Sequence, residues 1–111
     1  MQWSEEARDG AIIACPVGRV DESTAQAFVE ALVASVDRAA GIPAKTLVLD
    51  LAALEYMSSR GLRALTLAKR KADGTALPII LAAPNAVIRE ILAISRYDKL
   101  FTVVDTVAEA L

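Results

Sequence analysis

The sequence predicts an α/β protein with a mixed sheet of about five strands, an initial antiparallel hairpin and about four helices. Near the start, two short extended segments flank an Asp-Gly pair, which is a strong hairpin-turn signal. Beyond them, short apolar segments alternate with amphipathic segments of helical length, in the order β β α β α β α β α. This order is typical of a sheet whose later strands are mainly parallel. The 111 residues are enough to bury a core, so we expect residues 1–111 to form one domain.

The first part of the chain is predicted to form the hairpin and one helix. Residues 2–7 and 11–17 are the two strands, with the turn between them at Arg8-Asp9-Gly10. The side chains of residues 21–24 can cap a helix. That helix carries apolar residues at helical spacing, namely Ala25, Phe28, Leu32, Val36 and Ala39. We expect it to end near Gly41-Ile42-Pro43, because glycine permits a left-handed cap and proline cannot continue a helix.

The rest of the chain continues the alternation. We expect strands at residues 46–51, 77–82 and 100–104, helices at residues 58–72 and 84–95, and one or two helical turns at residues 105–111. The strand at 46–51 is apolar on both faces and therefore suits the centre of the sheet. Pro84 fits the first turn of the third helix, where its missing N–H would have no partner anyway.

Composition and charge exclude several classes of function. Twelve basic and fourteen acidic residues give a net charge of −2, and the basic ones lie apart except for Lys69-Arg70-Lys71, so we expect no nucleic-acid binding. No apolar run approaches the roughly 20 residues that cross a bilayer, so we expect no direct membrane insertion. The first residues lack the basic flank and apolar stretch of a secretory signal, which predicts a cytoplasmic location. The single cysteine, Cys15, lies in an apolar stretch and is predicted to be a core residue.

The sequence also lacks the residue sets of common enzymes. Without histidine, the usual base for a serine or cysteine nucleophile is missing, and no serine lies in a Gly-x-Ser-x-Gly frame. A metal site would need carboxylates alone, and the five glycines never cluster into a phosphate-binding loop. We therefore expect a protein that is not an enzyme and has no cofactor of its own.

One segment carries a more specific signal, where the strand at 46–51 leads through a short loop into the helix at 58–72. The helix opens with two hydroxyls, and the plain structural interpretation makes Ser58 its N-cap. That interpretation does not account for Gly61, a costly residue within the first turn of a helix. We expect Gly61 to leave this helix end uncovered, so that another molecule can approach the Ser59 hydroxyl.

This strand, loop and helix resemble the signature of the STAS family, especially its anti-sigma-factor antagonist branch. The family hallmark is an Asp-Ser-Ser-Gly-Leu run in which the first serine accepts phosphate. Anchored on Gly61 and Leu62, the acceptor falls on Ser59, while Ser58 replaces the aspartate and Arg60 replaces the second serine. Ser58 stays open as an alternative acceptor. The initial hairpin, the Gly-Arg-Val-Asp step at residues 18–21 and the final αβα order also agree, so the resemblance covers nearly the whole chain and implies a STAS-like mixed sheet.

The resemblance implies a protein switch. The unphosphorylated chain would bind and sequester an anti-sigma factor, a serine kinase of histidine-kinase-like ATPase fold, and thereby regulate transcription. Phosphorylation of Ser59 would release this partner, and a PP2C-type phosphatase would reverse the mark. ATP and its metal would belong to the partner. The implied partner-binding residues are Asp21, Ser58, Ser59, Arg60, Gly61 and Arg63. Asp21 fits a helix cap better than a direct contact.

Two other functions fit the same features. The chain could be a STAS subunit of an ABC-type lipid transport complex, in which the same helix end docks on an ATPase without a phosphate cycle. It could also be a sensor domain that holds a small anionic ligand at the start of the helix at 58–72.

Overall fold

Strands and helices alternate through most of the chain. The structure, a computed structural model, describes residues 1–41 and 46–111. Within these ranges the strands are β1 (Gln2–Arg8), β2 (Ala11–Val20), β3 (Thr46–Asp50), β4 (Leu54–Met57), β5 (Ile79–Ala82) and β6 (Thr102–Val104). The α-helices are α1 (Ala25–Gly41), α2 (Ser59–Asp73) and α3 (Ala86–Ile94). Short 3-10 turns at Tyr97–Lys99 and Ala108–Ala110 follow α3 and β6.

The strands form one mixed sheet in the order β1-β2-β3-β5-β6, with β4 paired to the far end of β2. The β1–β2 pair is antiparallel and the remaining pairs are parallel. Asp9 and Gly10 connect β1 to β2 with φ values of 52° and 80°, and a two-residue turn with both φ values positive matches the right-handed twist of a hairpin. The predicted α/β class with an initial hairpin is therefore confirmed.

Strand β2 pairs with two different strands along its length, and this change of partner determines where the start of α2 lies. Its first half pairs with β3, whereas its last three residues pair with β4, and the β2–β4 register shifts between Gly18 and Arg19. Gly18 has φ 108°, a value that a residue with a side chain rarely adopts, and its N–H donates to the carbonyl of Ala53 at 3.1 Å. The bend therefore brings the end of β2 beside the end of β4.

Most of the core lies between one face of the sheet and the helices. Apolar side chains of α1 and α2, such as Phe28, Leu32 and Leu65, are fully buried with Leu47 and Leu49 of β3. On the opposite face a smaller group of buried residues, Ala11, Ile13, Val48 and Ala82, packs against Val104, Val107 and Ala110 near the end of the chain. Strand β3 is buried on both faces, as expected for a central strand.

A polar cluster fastens the edge strand β1 to α1. Glu5 of β1 accepts hydrogen bonds from Arg38 and from the buried hydroxyl of Ser35, and the Arg38 Nε–Glu5 Oε1 distance is 2.8 Å. These bonds, led by those from Arg38, lower the pKa of Glu5 from 4.5 to about 2. Trp3 donates to the same carboxylate and meets the ring of Phe28 edge-to-face at 5.9 Å. The hairpin is thus joined to the helical layer by both charge and aromatic packing.

The counts of strands and helices differ from the sequence prediction. The described residues contain six strands rather than about five, because residues 54–57 form β4 where we expected a loop. They contain three α-helices rather than about four, because the last residues form only the 3-10 turn Ala108–Ala110. A four-residue strand is too short to show a period in the sequence, and the turn at the end of the chain lacks the length for α-helical hydrogen bonding.

Helix α3 begins at Ala86 rather than at Pro84, because Asn85 is its N-cap and accepts a hydrogen bond from the backbone N–H of Ile88 at 3.0 Å. Helix α1 reaches Gly41. The predicted stop at Ile42-Pro43 lies outside the described residues.

Candidate functional site

The start of α2 is held in place by the ends of two strands. Strand β4 runs parallel to the end of β2, and the backbone N–H of Ser58 continues this pairing by donating to the carbonyl of Val20 at 2.8 Å. Ser58 has extended backbone angles, φ −75° and ψ 174°, and its carbonyl accepts the helical hydrogen bond from Leu62. Ser58 therefore occupies the N-cap position, and Ser59 is the first residue of α2.

The two adjacent serines have different surroundings. The Ser58 hydroxyl oxygen is buried and has no hydrogen-bond partner within residues 1–41 and 46–111. It caps no backbone N–H of α2, so the interpretation of Ser58 as an N-cap is right for its backbone and wrong for its side chain. Ser59 is exposed. Of these two hydroxyls, only that of Ser59 is open to a molecule arriving from solvent.

Gly61 has a different role from the one that the sequence suggested. It is buried, and a Cβ placed on it would clash with Met57 Cγ and lie 2.9 Å from Val20 Cγ1. Real Cβ contacts are longer than this, so the missing side chain lets the first turn of α2 pack against the ends of β2 and β4. The expectation that Gly61 leaves the helix end uncovered toward solvent is wrong, because its Cβ position points into the core.

Charged side chains surround the start of α2. Arg60 forms an ion pair with Glu22 across 3.1 Å, and both side chains are mostly exposed. Arg19, near the end of β2, lies with its guanidinium 4.8 Å from the centre of the Tyr56 ring, a cation–π arrangement. Arg63, one turn into α2, is exposed and has no carboxylate within ion-pair distance in the described part of the chain. The surface beside Ser59 therefore carries several arginines that an acidic partner can contact.

Asp21 orders the loop that faces this helix end. Its carboxylate accepts hydrogen bonds from the backbone N–H and the hydroxyl of Ser23, at 3.0 and 2.8 Å. The hydrogen bond from the Ser23 hydroxyl makes the largest contribution to lowering the pKa of Asp21. The backbone N–H of Asp21 donates to the Thr24 hydroxyl, and its carbonyl accepts from Ala25, the first residue of α1. In the isolated chain Asp21 thus acts within its own loop, and any contact with a partner remains a prediction.

Other sites are weaker candidates. Within residues 1–41 and 46–111, no three Cys, Asp or Glu side chains lie close enough together to hold a metal ion. A shallow depression of about 300 Å³ on the opposite face of the sheet includes Ser4, Cys15 and Asp50. Cys15 is only partly buried there, so the prediction of a core residue is wrong. Burial raises the pKa of the Cys15 thiol, and Asp50 adds to this effect, so the thiol is poorly suited to be a nucleophile. No helix in the described ranges combines the length and the apolar character that a membrane crossing requires.

The structure brings most of the predicted site residues together. Ser58, Ser59, Arg60 and Gly61 follow one another at the start of α2, and Arg60 joins them to the loop that begins at Asp21. The individual pairs Arg60–Glu22 and Arg19–Tyr56 were not predicted. Each joins residues that are distant in sequence, and only the parallel pairing of β2 with β4 brings them together.

Comparisons with known proteins indicate one family. A family model described as STAS domain matches residues 2–110. BtrV of Bordetella bronchiseptica, named as an anti-sigma factor antagonist, is 30% identical over 106 residues, which are 96% of this chain and 88% of BtrV. The crystal structure of an anti-sigma factor antagonist from Mycobacterium paratuberculosis superposes with a TM-score of 0.85 at 27% identity, over 98% of this chain and 89% of that one.

A third comparison concerns the fold alone. The Bacillus cell fate determinant SpoIIAA, solved in its phosphorylated form, superposes with a TM-score of 0.69 over 98% of this chain and 96% of its own. The two sequences are 16% identical, so this likeness shows a shared architecture.

Proposed function

The chain belongs to the STAS domain family, and on that premise we propose that it is an anti-sigma factor antagonist that is switched by phosphorylation of Ser59. In its unphosphorylated form it binds and sequesters an anti-sigma factor in the cytoplasm, which frees the sigma factor to direct transcription. Phosphorylation of Ser59 releases the anti-sigma factor. The names of BtrV and of the Mycobacterium paratuberculosis protein support the general role.

The proposed partners supply the chemistry of the cycle. The anti-sigma factor is a serine kinase of histidine-kinase-like ATPase fold, and it brings ATP and the metal that accompanies it. A PP2C-type phosphatase removes the phosphate. The antagonist itself contributes a hydroxyl and a docking surface. The Bacillus protein SpoIIAA, which shares the fold, has been solved in both unphosphorylated and phosphorylated forms, and this supports a phosphate cycle on the same architecture.

The exposure of Ser59 is the observation that carries the proposal. Ser59 is exposed as the first residue of α2, whereas the neighbouring Ser58 hydroxyl oxygen is buried. A kinase must bring the γ-phosphate of ATP into line with the attacking oxygen, so an accessible hydroxyl is the first requirement for an acceptor. This contrast favours Ser59 over the alternative acceptor, Ser58.

The surroundings of Ser59 suit a switch that alters binding and spares the fold. Phosphate would add about 1.5 to 2 negative charges at the start of α2. The free N–H groups and the dipole of a helix N-terminus favour an anion, and α2 has no acidic residue in its first turn that would repel it. A partner packed against Ser59 would instead have to remove water from the phosphate, and this costs several kcal/mol without a compensating cation. We therefore expect the phosphorylated chain to stay folded and to lose its partner.

The six predicted partner-binding residues have different parts in this proposal. Ser59, Arg60 and Arg63 are exposed and can contact the partner directly. Asp21 orders the loop whose Glu22 pairs with Arg60. The remaining two, Ser58 and Gly61, act by fixing the backbone of the helix start.

A phosphorylation assay tests the proposal. The purified chain is incubated with ATP and the serine-kinase anti-sigma factor encoded in the same genome, and intact mass is measured. We expect one added phosphate on the wild type and on Ser58→Ala, which is the matched control, and none on Ser59→Ala. A phosphate that still appears on Ser59→Ala would move the acceptor elsewhere. A kinase that binds the wild type without modifying it would refute the phosphate switch, and a kinase that does not bind it at all would favour the STAS subunit of a transport complex.

A further inference from the structure

A shallow groove lies between α1 and α2, directly beside the Ser59 site. Its volume is about 180 Å³. Helix α1 contributes three of its lining residues and α2 contributes four. They are Ala25, Gln26, Val29, Arg60, Arg63, Ala64 and Leu67. Arg60 follows Ser59 in the chain, so the groove and the phosphate acceptor share one edge.

Helix geometry accounts for the groove. Residues three and four apart lie on the same side of a helix, so the lining residues of α2 form one stripe that faces a similar stripe on α1. Two ion pairs flank the groove. Glu22, in the loop before α1, pairs with Arg60 of α2 at 3.1 Å, and Asp37 of α1 pairs with Lys71 of α2 at 3.1 Å. Ala25 and Ala64 are buried where the helices meet, and their small side chains leave space above them. The groove is therefore a regular feature of how the two helices pack.

The lining combines an apolar floor with a cationic rim. Ala25, Val29 and Ala64 form the floor, and Leu67 remains 44% exposed at one side. Arg60 and Arg63 stand on the α2 side of the groove, and Arg63 has no ion-pair partner among the described residues. Helix α2 carries Arg60, Arg63, Lys69, Arg70 and Lys71 against a single acid, Asp73, although the whole chain has a net charge of −2. An acidic partner therefore finds its complement on this helix and not on the chain as a whole.

The size of the groove indicates the kind of occupant. Pockets for drug-sized ligands have volumes of about 300 to 1,000 Å³, so a groove of about 180 Å³ is too small for most of them. It suits an apolar side chain that projects from another protein. Such an anchor, with carboxylates beside it, would use both the floor and the rim.

We propose that this groove binds an acidic segment of the anti-sigma factor, which inserts one apolar side chain between α1 and α2 and directs its carboxylates at Arg60 and Arg63. The proposal rests on the function proposed above and names the chemistry of the partner's contact. An exposed ion pair contributes little, so Arg60 can exchange Glu22 for a partner carboxylate at small cost. A phosphate on Ser59 would compete with that carboxylate for Arg60, and this links the groove to the switch.

Two pairs of matched variants test the groove. Arg63→Glu reverses a charge in the groove, and Arg70→Glu makes the same change on an exposed residue of α2 that does not line it. Leu67→Gln removes the exposed apolar side chain of the groove, and Ile94→Gln is its control on α3, where Ile94 is 76% exposed. The probe is the purified serine-kinase anti-sigma factor of the same genome, titrated calorimetrically against the unphosphorylated chain. We expect the dissociation constant to rise about tenfold or more for the groove variants and by less than about threefold for the controls.

The charge contact has a second, independent readout. Replacing single Asp or Glu residues of the anti-sigma factor by Lys should identify a position that restores binding to Arg63→Glu, while it weakens binding to the wild type. Such reciprocal recovery measures a direct coupling between two side chains. If none of these partner substitutions restores binding, the carboxylate contact with Arg63 is wrong.

The remaining outcomes separate this proposal from the proposed function. Equal loss of binding by Arg63→Glu and Arg70→Glu would indicate general electrostatic attraction and overturn the groove. Groove variants that bind like the wild type, together with a Ser59→Asp variant that does not bind, would overturn the groove alone. A wild-type chain that fails to bind the kinase would overturn both. Sedimentation of the isolated chain completes the test, because a dimer that Leu67→Gln dissociates would assign the groove to a second copy.

Discussion

Replacing Gly61 by alanine should destabilise the protein, although alanine is the better helix former. In an open position of a helix, this substitution would stabilise by up to about 1 kcal/mol. The new methyl group would instead clash with Met57 Cγ and lie 2.9 Å from Val20 Cγ1. Both neighbours are at most 2% exposed, so neither side chain can move into solvent. Overpacking of this kind costs about 1–3 kcal/mol and commonly more than the helical gain, so we expect a net loss of about 1–2 kcal/mol.

The assay is urea unfolding followed by circular dichroism and by the fluorescence of Trp3, with thermal unfolding as a second measure. Each kcal/mol lost should lower the melting temperature of a domain of this size by about 4–8 °C. Gly41→Ala is the matched control, because Gly41 also lies in a helix and no atom of residues 1–41 and 46–111 would contact its Cβ within 4 Å. We expect Gly41→Ala to unfold like the wild type or slightly later. A Gly61→Ala variant as stable as the wild type would refute the packing role of Gly61.

Three further predictions follow from other contacts. The pKa of Glu5 in the folded state, about 2, is below its ordinary value of 4.5, so the stability that Glu5 provides is fully present above pH 4.5 and is lost as the pH falls through about 2. Glu5→Gln should therefore lower the free energy of unfolding by about 1–2 kcal/mol at pH 7, and its urea-denaturation midpoint should fall less steeply toward acidic pH than that of the wild type. Glu6→Gln, on the exposed side of β1, should leave both quantities unchanged. Arg60→Ala should leave circular dichroism unchanged and reduce the salt dependence of partner binding in titrations at several ionic strengths, and an unchanged salt slope would mark Arg60 as a bystander. Cys15 should react with iodoacetamide more slowly in the native chain than in urea, because burial raises its pKa, and equal rates followed by mass spectrometry would contradict this.

The sequence predicted the parts of the fold that depend on local chemistry. The Asp9-Gly10 pair indicated the hairpin turn, because few residues other than Asp, Asn and Gly tolerate positive φ. Helices α1 and α2 were predicted from their apolar spacing, and their observed ranges agree within a few residues. The buried β3 followed from a run that is apolar on both faces. Each of these signals lies within a single segment.

The features that sequence reasoning missed depend on contacts between segments. Strand β4 is visible only through its pairing with the bent end of β2, and its four residues show no period. Gly61 could be recognised as unusual in a helix, but its direction toward Met57 depends on how α2 sits on the sheet. Ser58 could be placed at the N-cap, but the burial of its hydroxyl could not be foreseen. The structure therefore supplies the orientations of the candidate residues, and their role in binding and phosphorylation remains a prediction.

The affinity of the anti-sigma factor for the chain with and without phosphate on Ser59 tests the central claim most directly. Phosphorylated and unphosphorylated chains, separated and verified by intact mass, are titrated against the partner by calorimetry, with Ser59→Asp and Ser59→Ala beside them. We expect the phosphorylated chain to remain folded by circular dichroism and to bind at least about a hundredfold more weakly. Desolvation of the phosphate and charge repulsion both cost binding free energy, and each 1.4 kcal/mol of that cost lowers the affinity about tenfold. Ser59→Asp should lose affinity in the same direction, and Ser59→Ala should bind like the unphosphorylated wild type. Equal affinity of the phosphorylated and unphosphorylated chains would contradict the claim that Ser59 is the switch.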